Sequence, residues 1–357
     1  MDIRKEREEW FGNIKGDVLA GMVSSFAVIP EVVGFCIVAG ISPMMGLYAS
    51  IWLTVLMAFL GGRPAMISAA AGSMALIIVS LVRDYGPEYL MFATILCGVI
   101  MFFLGLLKVG NLLKYIPHSV QIGFVDALAI LIFLSQLGNF EGESWPMFAL
   151  VALGIAIIYL FPHVTLAVPS TLVAVVVVTA VAIAFDAPVR TIGDMGAITA
   201  ALPTFHVPAV PFSAETLKIV LPYSISMALV GLVETLLTSQ VIDEMTDSQG
   251  DRNRECCGLG IANMVSGLFG GTCGCAMIGQ AIVNVNSGGR GRLSNFVSGS
   301  FLLVLIFLLK DILVQIPLAA LVAVMITVSI STFDFESFLQ LPKMPKSDAI
   351  VIAVVVM

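Results

Sequence analysis

The chain has 357 residues, of which 59% are hydrophobic and only 11% charged, and its formal net charge is −7. Apolar stretches of about 18 residues or more recur along its length, which is typical of a multi-pass membrane protein surrounded by a lipid bilayer. The charges lie in loops rather than on one face, so no nucleic acid is expected as a partner.

Hydropathy predicts a leader, twelve complete membrane spans and the opening of another. Residues 1–16 carry mixed charge and no small-residue cleavage site follows, so we expect a cytoplasmic leader and a retained first helix rather than a signal peptide. The proline-containing connection 186–216 is predicted to be an extracytoplasmic linker. The predicted spans are 17–39, 43–60, 68–82, 89–107, 118–137, 147–161, 166–185, 217–240, 256–269, 275–285, 295–309, 313–331 and one that opens at 348.

Two sets of spans, 17–185 and 217–357, share features in the same order with an offset of roughly 200 residues. This spacing predicts two transmembrane repeats, the alternative being ordinary transmembrane composition in both halves. The matching pairs are Glu31 with Glu234, Gly61-Gly62 with Gly270-Gly271, and Ile116-Pro117 with Ile316-Pro317.

Seven spans in each repeat would make the second repeat enter the membrane from the opposite side. The prediction is therefore an all-α membrane protein built as a 7+7 inverted repeat of fourteen segments, an architecture typical of transporters. With the N-terminus in the cytoplasm, all but four of the 17 lysine and arginine residues lie on the cytoplasmic side, as the positive-inside rule requires. The partners of 147–185 would lie near 347–385, so about one and a half segments are expected to be missing from this piece of a longer chain. The four exceptions are Arg83, Arg190, Lys218 and Lys310.

The stretch GGTCGCAMIGQAIVNVNSGGRGRLSN begins at Gly270 and holds an apolar run of about eleven residues, which as a helix spans roughly 16 Å. A bilayer core is about 30 Å thick. The matching stretch in the first half, RPAMISAAAGS from Arg63 to Ser73, is similarly irregular. Segments 3 and 10 are therefore predicted to be discontinuous, which in inverted repeats marks a substrate site.

The starts of these two half-helices predict the sign of the substrate. Free N–H groups and the helix dipole place about half a positive charge at each start, so two starts that meet near the midplane favour an anion. Ser73 and Gln280 would add hydrogen bonds. The alternative is that the small residues only permit close helix packing.

Ionisable residues inside membrane spans are rare and usually functional. Glu31, Asp126 and Glu234 lie well inside predicted spans, and Thr238 follows Glu234 by one turn on the same face. Glu234 is the predicted coupling acid, and Glu31 is predicted to line the site with Phe35. The alternative for Glu234 and for Asp126 is a structural hydrogen bond to a neighbouring helix. The six cysteines are interpreted as small apolar side chains, and no metal site is expected.

Several motifs also resemble one family. The stretches DVLAGMVSSFAVIPEVVGFCIVAGISPMMGLYAS, IPHSVQIGFVDALAILIFLSQL, LVGLVETLLTSQVIDEMTD and GQAIVNVNSGGRGRLSN are similar to the first, fifth, eighth and tenth helices of the SulP family, the sulfate-permease-like anion transporters. The resemblance implies a mobile core domain (segments 1–4 and 8–11), a gate domain (5–7 and 12–14) and a homodimer. It also implies a site formed by Glu31, Phe35, Ala71, Gly72, Ser73, Glu234, Gly279 and Gln280. We assign the first five and the last two to the substrate, and Glu234, with Thr238 on the same helix face, to the coupling ion.

Three departures from the family pattern affect this prediction. Many members carry Gln where this chain has Glu31, and many carry Arg where it has Gln280. The STAS domain that usually follows the last helix is not in this sequence. Because no fixed positive charge stands at Gln280, we expect a cation on Glu234 to offset the charge of the anion.

The sequence thus predicts a secondary active anion transporter of the bacterial inner membrane that works by alternating access. It is expected to couple a small inorganic anion or dicarboxylate to H⁺ or Na⁺, with no cofactor apart from that ion at Glu234. The alternatives are an uncoupled anion exchanger or channel, a nucleobase carrier, and a structural membrane protein. An enzyme that uses Glu31 and Glu234 as an acid pair lacks an accompanying nucleophile–base arrangement.

Overall fold

A computed structural model describes residues 3–111, 118–165, 169–195 and 202–333. Within these ranges, six helices are long and apolar enough to cross a membrane, and three shorter apolar helices accompany them. The elements are α1 (Ile3–Phe11), α2 (Ile14–Ala39), α3 (Pro43–Leu60), β1 (Ser68–Ala69), α4 (Gly72–Tyr85), α5 (Pro87–Leu106), α6 (His118–Leu137), α7 (Trp145–Leu160), α8 (Ser170–Ala184), α9 (Ile192–Met195), α10 (Ala214–Thr246), α11 (Arg252–Leu268), β2 (Cys275–Ala276), α12 (Ile278–Asn286), α13 (Arg292–Leu313) and α14 (Leu318–Thr332).

Helix ends follow capping residues rather than hydropathy, so several helices extend beyond the predicted spans. Ser213 accepts a hydrogen bond from the N–H of Thr216 and starts α10 before the predicted 217, and Asp251 caps α11 in the same way. Gly40, with φ of 70°, ends α2 in the left-handed conformation that glycine favours. Polar residues can therefore continue a membrane helix by a turn or more outside the apolar span.

Segments 3 and 10 are discontinuous, as predicted. Each consists of a two-residue strand followed by a short helix, and the two strands pair antiparallel with Ser68 opposite Ala276 and Ala69 opposite Cys275. The helix α12 has only 9 residues, about 14 Å at 1.5 Å per residue. Strand pairing brings the two halves of the chain into contact at the point where each helix begins.

Buried side chains satisfy the non-helical backbone around the strands, which the bilayer tolerates only where it is covered by protein. The Thr54 hydroxyl donates to the Ser68 carbonyl at 2.7 Å. Asn263 binds both backbone groups of Gly274, at 3.0 and 2.9 Å, and the Ala276 N–H donates to Thr235 Oγ1 at 3.1 Å. Helices α3, α10 and α11 thus hold the strands in place.

Helix packing shows the inverted repeat. The contact between α5 and α11 has its counterpart between α13 and α3, and the contact between α5 and α10 has its counterpart between α13 and α2. Likewise α2 packs on α4 as α10 packs on α12. Each contact becomes its counterpart when the two halves of the chain are exchanged, which confirms the repeat. The predicted match at Ile116-Pro117 and the span opening at 348 lie outside the described residues.

The helices form the two predicted domains. Segments α2–α5 and α10–α13 pack extensively on one another, and α6, α7, α8 and α14 form a second group. The two groups meet chiefly where α2 and α4 contact α6, α8 and α14. A core and a gate are therefore distinct packing units with a limited shared surface.

The connection between α8 and α10 is tied to both domains. Its N–H groups at Ile192 and Gly193 donate to the carbonyls of Ile316 and Val314 at 2.9 and 3.0 Å, between α13 and α14. Within it, hydrogen bonds from the Thr191 N–H and hydroxyl hold the pKa of Asp194 below its usual range. The described residues Ile192 and Gly193 are therefore held against the turn between α13 and α14.

Four arginines at the α1 side of the core donate to the carbonyls that end neighbouring helices. Cations are favourable there because the last carbonyls of a helix lack partners and carry partial negative charge. Two of the arginines also pair with acids, Arg63 with Asp243 at 3.0 Å and Arg292 with Glu9 at 2.7 Å. The carbonyl contacts are Arg63 to Ile242, Arg254 to Phe59 and Leu60, Arg290 to Val285, and Arg292 to Ala58 and Gly61.

Candidate substrate site between core and gate

A cavity of about 1020 Å³ lies between the core and the gate. The core side is formed by α2, α10 and the starts of α4 and α12, and the gate side by α6, α7, α8 and α14. The cavity extends to Leu19 near the start of α2 and to Asn286 at the end of α12. It therefore reaches from the paired strands to the side of the protein on which α1 lies.

The structure brings eight of the nine predicted site residues to this cavity. Thr238 is the exception: it is buried, and its hydroxyl donates to the Glu234 backbone carbonyl at 2.8 Å rather than lining the space. Asp126 is buried in α6 and is also not among the lining residues. The eight are Glu31, Phe35, Ala71, Gly72, Ser73, Glu234, Gly279 and Gln280.

The starts of α4 and α12 have uncapped backbone N–H groups. Neither preceding residue, Ala71 or Met277, supplies a side-chain hydrogen bond to its helix. The first N–H groups of a helix have no partner within it, and each start carries about half an elementary positive charge. Because β1 pairs with β2 directly before both helices, the two positive starts converge on one cavity.

Glu234 lies on α10 beside both half-helices. Ser73 at the start of α4 donates a hydrogen bond to Glu234 Oε2, and the Cys275 thiol donates to the same oxygen at 3.2 Å. The sequence analysis missed Cys275 because it interpreted all six cysteines as small apolar side chains. The available signal was the position of Cys275 in the irregular stretch before α12, since non-helical backbone in a membrane protein occurs only where protein covers it.

Gln280 occupies the corresponding position on α12. Its Nε2 donates to the Ala27 carbonyl at 3.4 Å, and its Oε1 is buried with no hydrogen-bond partner among the described residues. The amide lies beside the Glu31 carboxyl, with which it interacts. In this orientation the amide donates to the Ala27 carbonyl, and its oxygen has no hydrogen-bond partner among the described residues.

The two glycines of the site differ in the space around them. A Cβ at Gly72 would lie 2.5 Å from the Phe35 ring, whereas a Cβ at Gly279 would meet nothing within 4 Å. Phe35 thus packs directly on the start of α4, and the start of α12 is open to the cavity.

Paired strands at the middle of an inverted repeat, two helix starts at one cavity and separate core and gate domains define a membrane transporter of the inverted-repeat class. The chain belongs to the sulfate permease family: the family model matches residues 14–148 and 142–355. The relatives are transporters, which confirms the prediction of a transporter rather than an enzyme.

Two curated relatives illustrate the match. The chain is 56% identical to YbaR of Bacillus subtilis, provisionally named a sulfate transporter, over 98% of this chain and 73% of that protein. It is 28% identical to the bicarbonate transporter BicA of Picosynechococcus over 92% of this chain and 63% of that protein. The chain thus spans between three fifths and three quarters of the length of these two relatives.

Solved structures show the same fold. The transmembrane domain of a cyanobacterial bicarbonate transporter BicA superimposes with a TM-score of 0.87 at 27% identity, covering 97% of this chain and 95% of that chain. Murine Slc26a9, described as an anion transporter in the inward-facing state, superimposes with a TM-score of 0.83 at 17% identity, over 96% of this chain and 65% of that one.

Proposed function

We propose that this protein is a secondary active transporter that moves a small inorganic anion or a dicarboxylate by alternating access, coupled to protons. The observation that carries the proposal is the convergence of two uncapped helix starts, at α4 and α12, on one cavity between core and gate. The backbone N–H groups around Gly72 and Gly279 would bind the anion, and Phe35 would form the apolar wall beside it.

The acids in the cavity require a compensating cation. At an effective dielectric constant near 20, two like unit charges about 4 Å apart repel by roughly 4 kcal/mol. A cation bound at Glu234 would remove this repulsion between the carboxylate and a bound anion. Transport of the anion would then depend on the coupling ion.

A proton fits the surroundings of Glu234 better than Na⁺. Hard cations prefer oxygen ligands, whereas thiols suit soft metals, and Cys275 occupies one of the two side-chain contacts of the Glu234 carboxyl. Ser73 and Cys275 each offer a hydrogen that a carboxylate accepts. We therefore place the coupling proton on Glu234.

The limited contact between core and gate supports alternating access. The core would carry the anion past the gate, and the present cavity would open to the cytoplasm if α1 is cytoplasmic, as the charge distribution predicts. We also propose that the protein is a homodimer in the inner membrane of a bacterium.

Uptake into proteoliposomes tests the function. Radiolabelled bicarbonate, sulfate and succinate are supplied separately, with and without inward pH and Na⁺ gradients, to wild type and Glu234→Gln. Uptake that rises with the pH gradient, and loses that dependence in Glu234→Gln, supports proton symport. Uptake that ignores both gradients and is equal in the two proteins contradicts coupling and favours an exchanger; currents far above carrier turnover identify a channel.

A further inference from the structure

We propose that Asn284 is a positioning residue for transport: it sets the offset between the two helix starts by holding the turn before β1 in a strained conformation. Asn284 lies in α12, one turn after Gln280, and is not among the described residues that line the cavity. The inference rests on the proposed function, because the offset between the starts matters only if both bind one anion.

The turn before β1 contains a strained residue. Ala65 directly follows Pro64 and has a φ of 63°. A positive φ after proline is typical of a type II turn, whose third position favours glycine. In the stretch before β2 the positive φ falls on Gly270, at 75°, where it causes little strain. An alanine keeps this conformation only where its surroundings hold it there.

The side chain of Asn284 holds this turn. Its Nδ2 donates to the Ala65 carbonyl at 2.9 Å and to Ser294 Oγ at 2.9 Å. Its Oδ1 accepts from Ser24 Oγ at 3.3 Å. The side chain is fully buried, and both hydrogens of its amide are used. Helices α2 and α13 therefore orient the amide that binds the turn.

The hydrogen bond from Asn284 to Ala65 closes a ring of contacts around both helix starts. From Ala65 the chain runs into β1, and β1 pairs with β2. Strand β2 leads into α12, which carries Asn284 back to Ala65. Inside the ring, the Met277 N–H donates to the Ile67 carbonyl at 2.9 Å. The closed ring fixes the start of α4 relative to the start of α12, whereas an open ring would leave this to two short strands.

Packing explains why alanine rather than glycine occupies the strained position. Ala65 is 1% exposed, and its methyl group belongs to a small apolar cluster with Met66, Ile242, Ala276, Ala281 and Val285. Glycine would relax the turn but leave a gap in this cluster, which a close-packed interior disfavours. The turn therefore combines a packed methyl group with a strained backbone, and it depends on Asn284.

Uptake kinetics test this role. Radiolabelled bicarbonate, sulfate and succinate are the probes, and KM and maximal rate are measured for those that wild type transports. Asn284→Ala should raise KM at least about tenfold, because a misplacement of about 1 Å can cost about 100-fold even from a distance. The maximal rate per reconstituted protein should change much less. A lower maximal rate at an unchanged KM would indicate a merely structural role and overturn the inference.

The matched control is Asn139→Ala. It removes the same amide directly after α6, outside the cavity, and should leave KM unchanged. An equal rise of KM in Asn139→Ala and Asn284→Ala contradicts the inference.

Substitutions at position 65 test the strained turn without removing Asn284, and they serve also if Asn284→Ala is not monodisperse. Ala65→Gly relieves the strain and should keep KM near its wild-type value. Ala65→Val places a β-branched residue at a positive φ and should raise KM. Ala65→Gly should also reverse part of the rise in KM caused by Asn284→Ala. Equal KM values for Ala65→Gly and Ala65→Val, or no recovery in the double variant, contradict the inference.

Hydrogen exchange separates this inference from the proposed function. Mass spectrometry of the full chain in detergent follows the backbone N–H groups of residues 65–73, which should exchange about fivefold faster in Asn284→Ala. Unchanged exchange there overturns the inference whether or not an anion is transported. If wild type transports none of the three anions, the proposed function fails, while faster exchange would still show that Asn284 holds the turn.

Discussion

The two half-helices are related by the repeat, yet the starts of α4 and α12 differ in both packing and chemistry. Gly72 is pressed against Phe35, and the neighbouring Ser73 is bonded to Glu234. Gly279 is open to the cavity, and the neighbouring Gln280 keeps an unpaired oxygen. The repeat thus places two helix starts at one cavity, while divergent side chains close the start of α4 and leave the start of α12 open to the cavity.

A paired glycine substitution should give the largest effect. Gly72→Ala places a methyl group within 2.5 Å of the Phe35 ring, so either the ring or the start of α4 must shift, and a misplacement near a site costs about 100-fold in rate. Gly279→Ala meets no protein atom within 4 Å, so its methyl group affects only the space for the anion, and uptake should fall by less than in Gly72→Ala. Initial uptake rates, normalised to reconstituted protein, measure both. Equal loss in the two variants would show that the starts are equivalent after all.

Relief of that clash sharpens the same comparison. Phe35→Leu shortens the side chain beside Gly72 and should restore part of the uptake in the Gly72→Ala background. Failure of the double variant to recover, although it remains monodisperse, would place the defect in the backbone rather than at the ring.

The next largest effect is expected on stability, when side chains that hold the paired strands are removed. Asn263→Leu leaves both backbone groups of Gly274 without partners, and each buried unpaired group costs about 1–3 kcal/mol. Thr54→Val removes one donor to Ser68 and should cost less, about 1–3 kcal/mol in all. Thermal unfolding in detergent measures the shift in Tm. A smaller shift for Asn263→Leu than for Thr54→Val would refute this order.

The thiol beside Glu234 gives a moderate effect. Cys275→Ala removes one of two hydrogen bonds to that carboxyl, and a hydrogen bond to a charged group is worth about 1.5–3 kcal/mol. Proton-driven uptake should fall about tenfold, and Cys275→Ser should retain most of it because the hydroxyl still donates. The control is Cys97→Ser. The sulfur of this buried cysteine lies 3.3 Å from the Cys273 sulfur rather than beside the Glu234 carboxyl. Equal uptake rates for Cys275→Ala and Cys275→Ser would show that a hydrogen-bond donor at position 275 does not contribute to coupling.

The smallest effect is expected at Thr238. Its hydroxyl bonds to a carbonyl of its own helix, so Thr238→Val should change uptake by less than about twofold. A large loss of coupling would support the sequence prediction that Thr238 lies at the site of the coupling ion.

Much of the fold could be predicted because each argument used a strong physical signal. Apolar length identified the spans, and charge asymmetry with seven spans per half implied the inversion. A glycine-rich stretch before β2 and a stretch rich in small residues around β1 located the discontinuous segments. Eight of the proposed site residues then line one cavity, since residues near matching interruptions converge.

The remaining features lacked a readable signal. Two-residue strands such as Cys275–Ala276 are too short to show alternation, so their pairing across the halves was not predicted. The ends of α10 and α11 depend on Ser213 and Asp251 rather than on hydropathy. The role of Cys275 follows from a distance to Glu234 that only the folded chain provides.

The arginines at the α1 side of the core have a consequence for how a solute reaches the cavity. Their guanidinium groups face carbonyl oxygens and acids of the protein itself, which reduces the field they project into solution. We therefore expect these four arginines to contribute little to the electrostatic steering of anions towards this side. The KM for uptake from that side should change little with ionic strength, even though the substrate is charged.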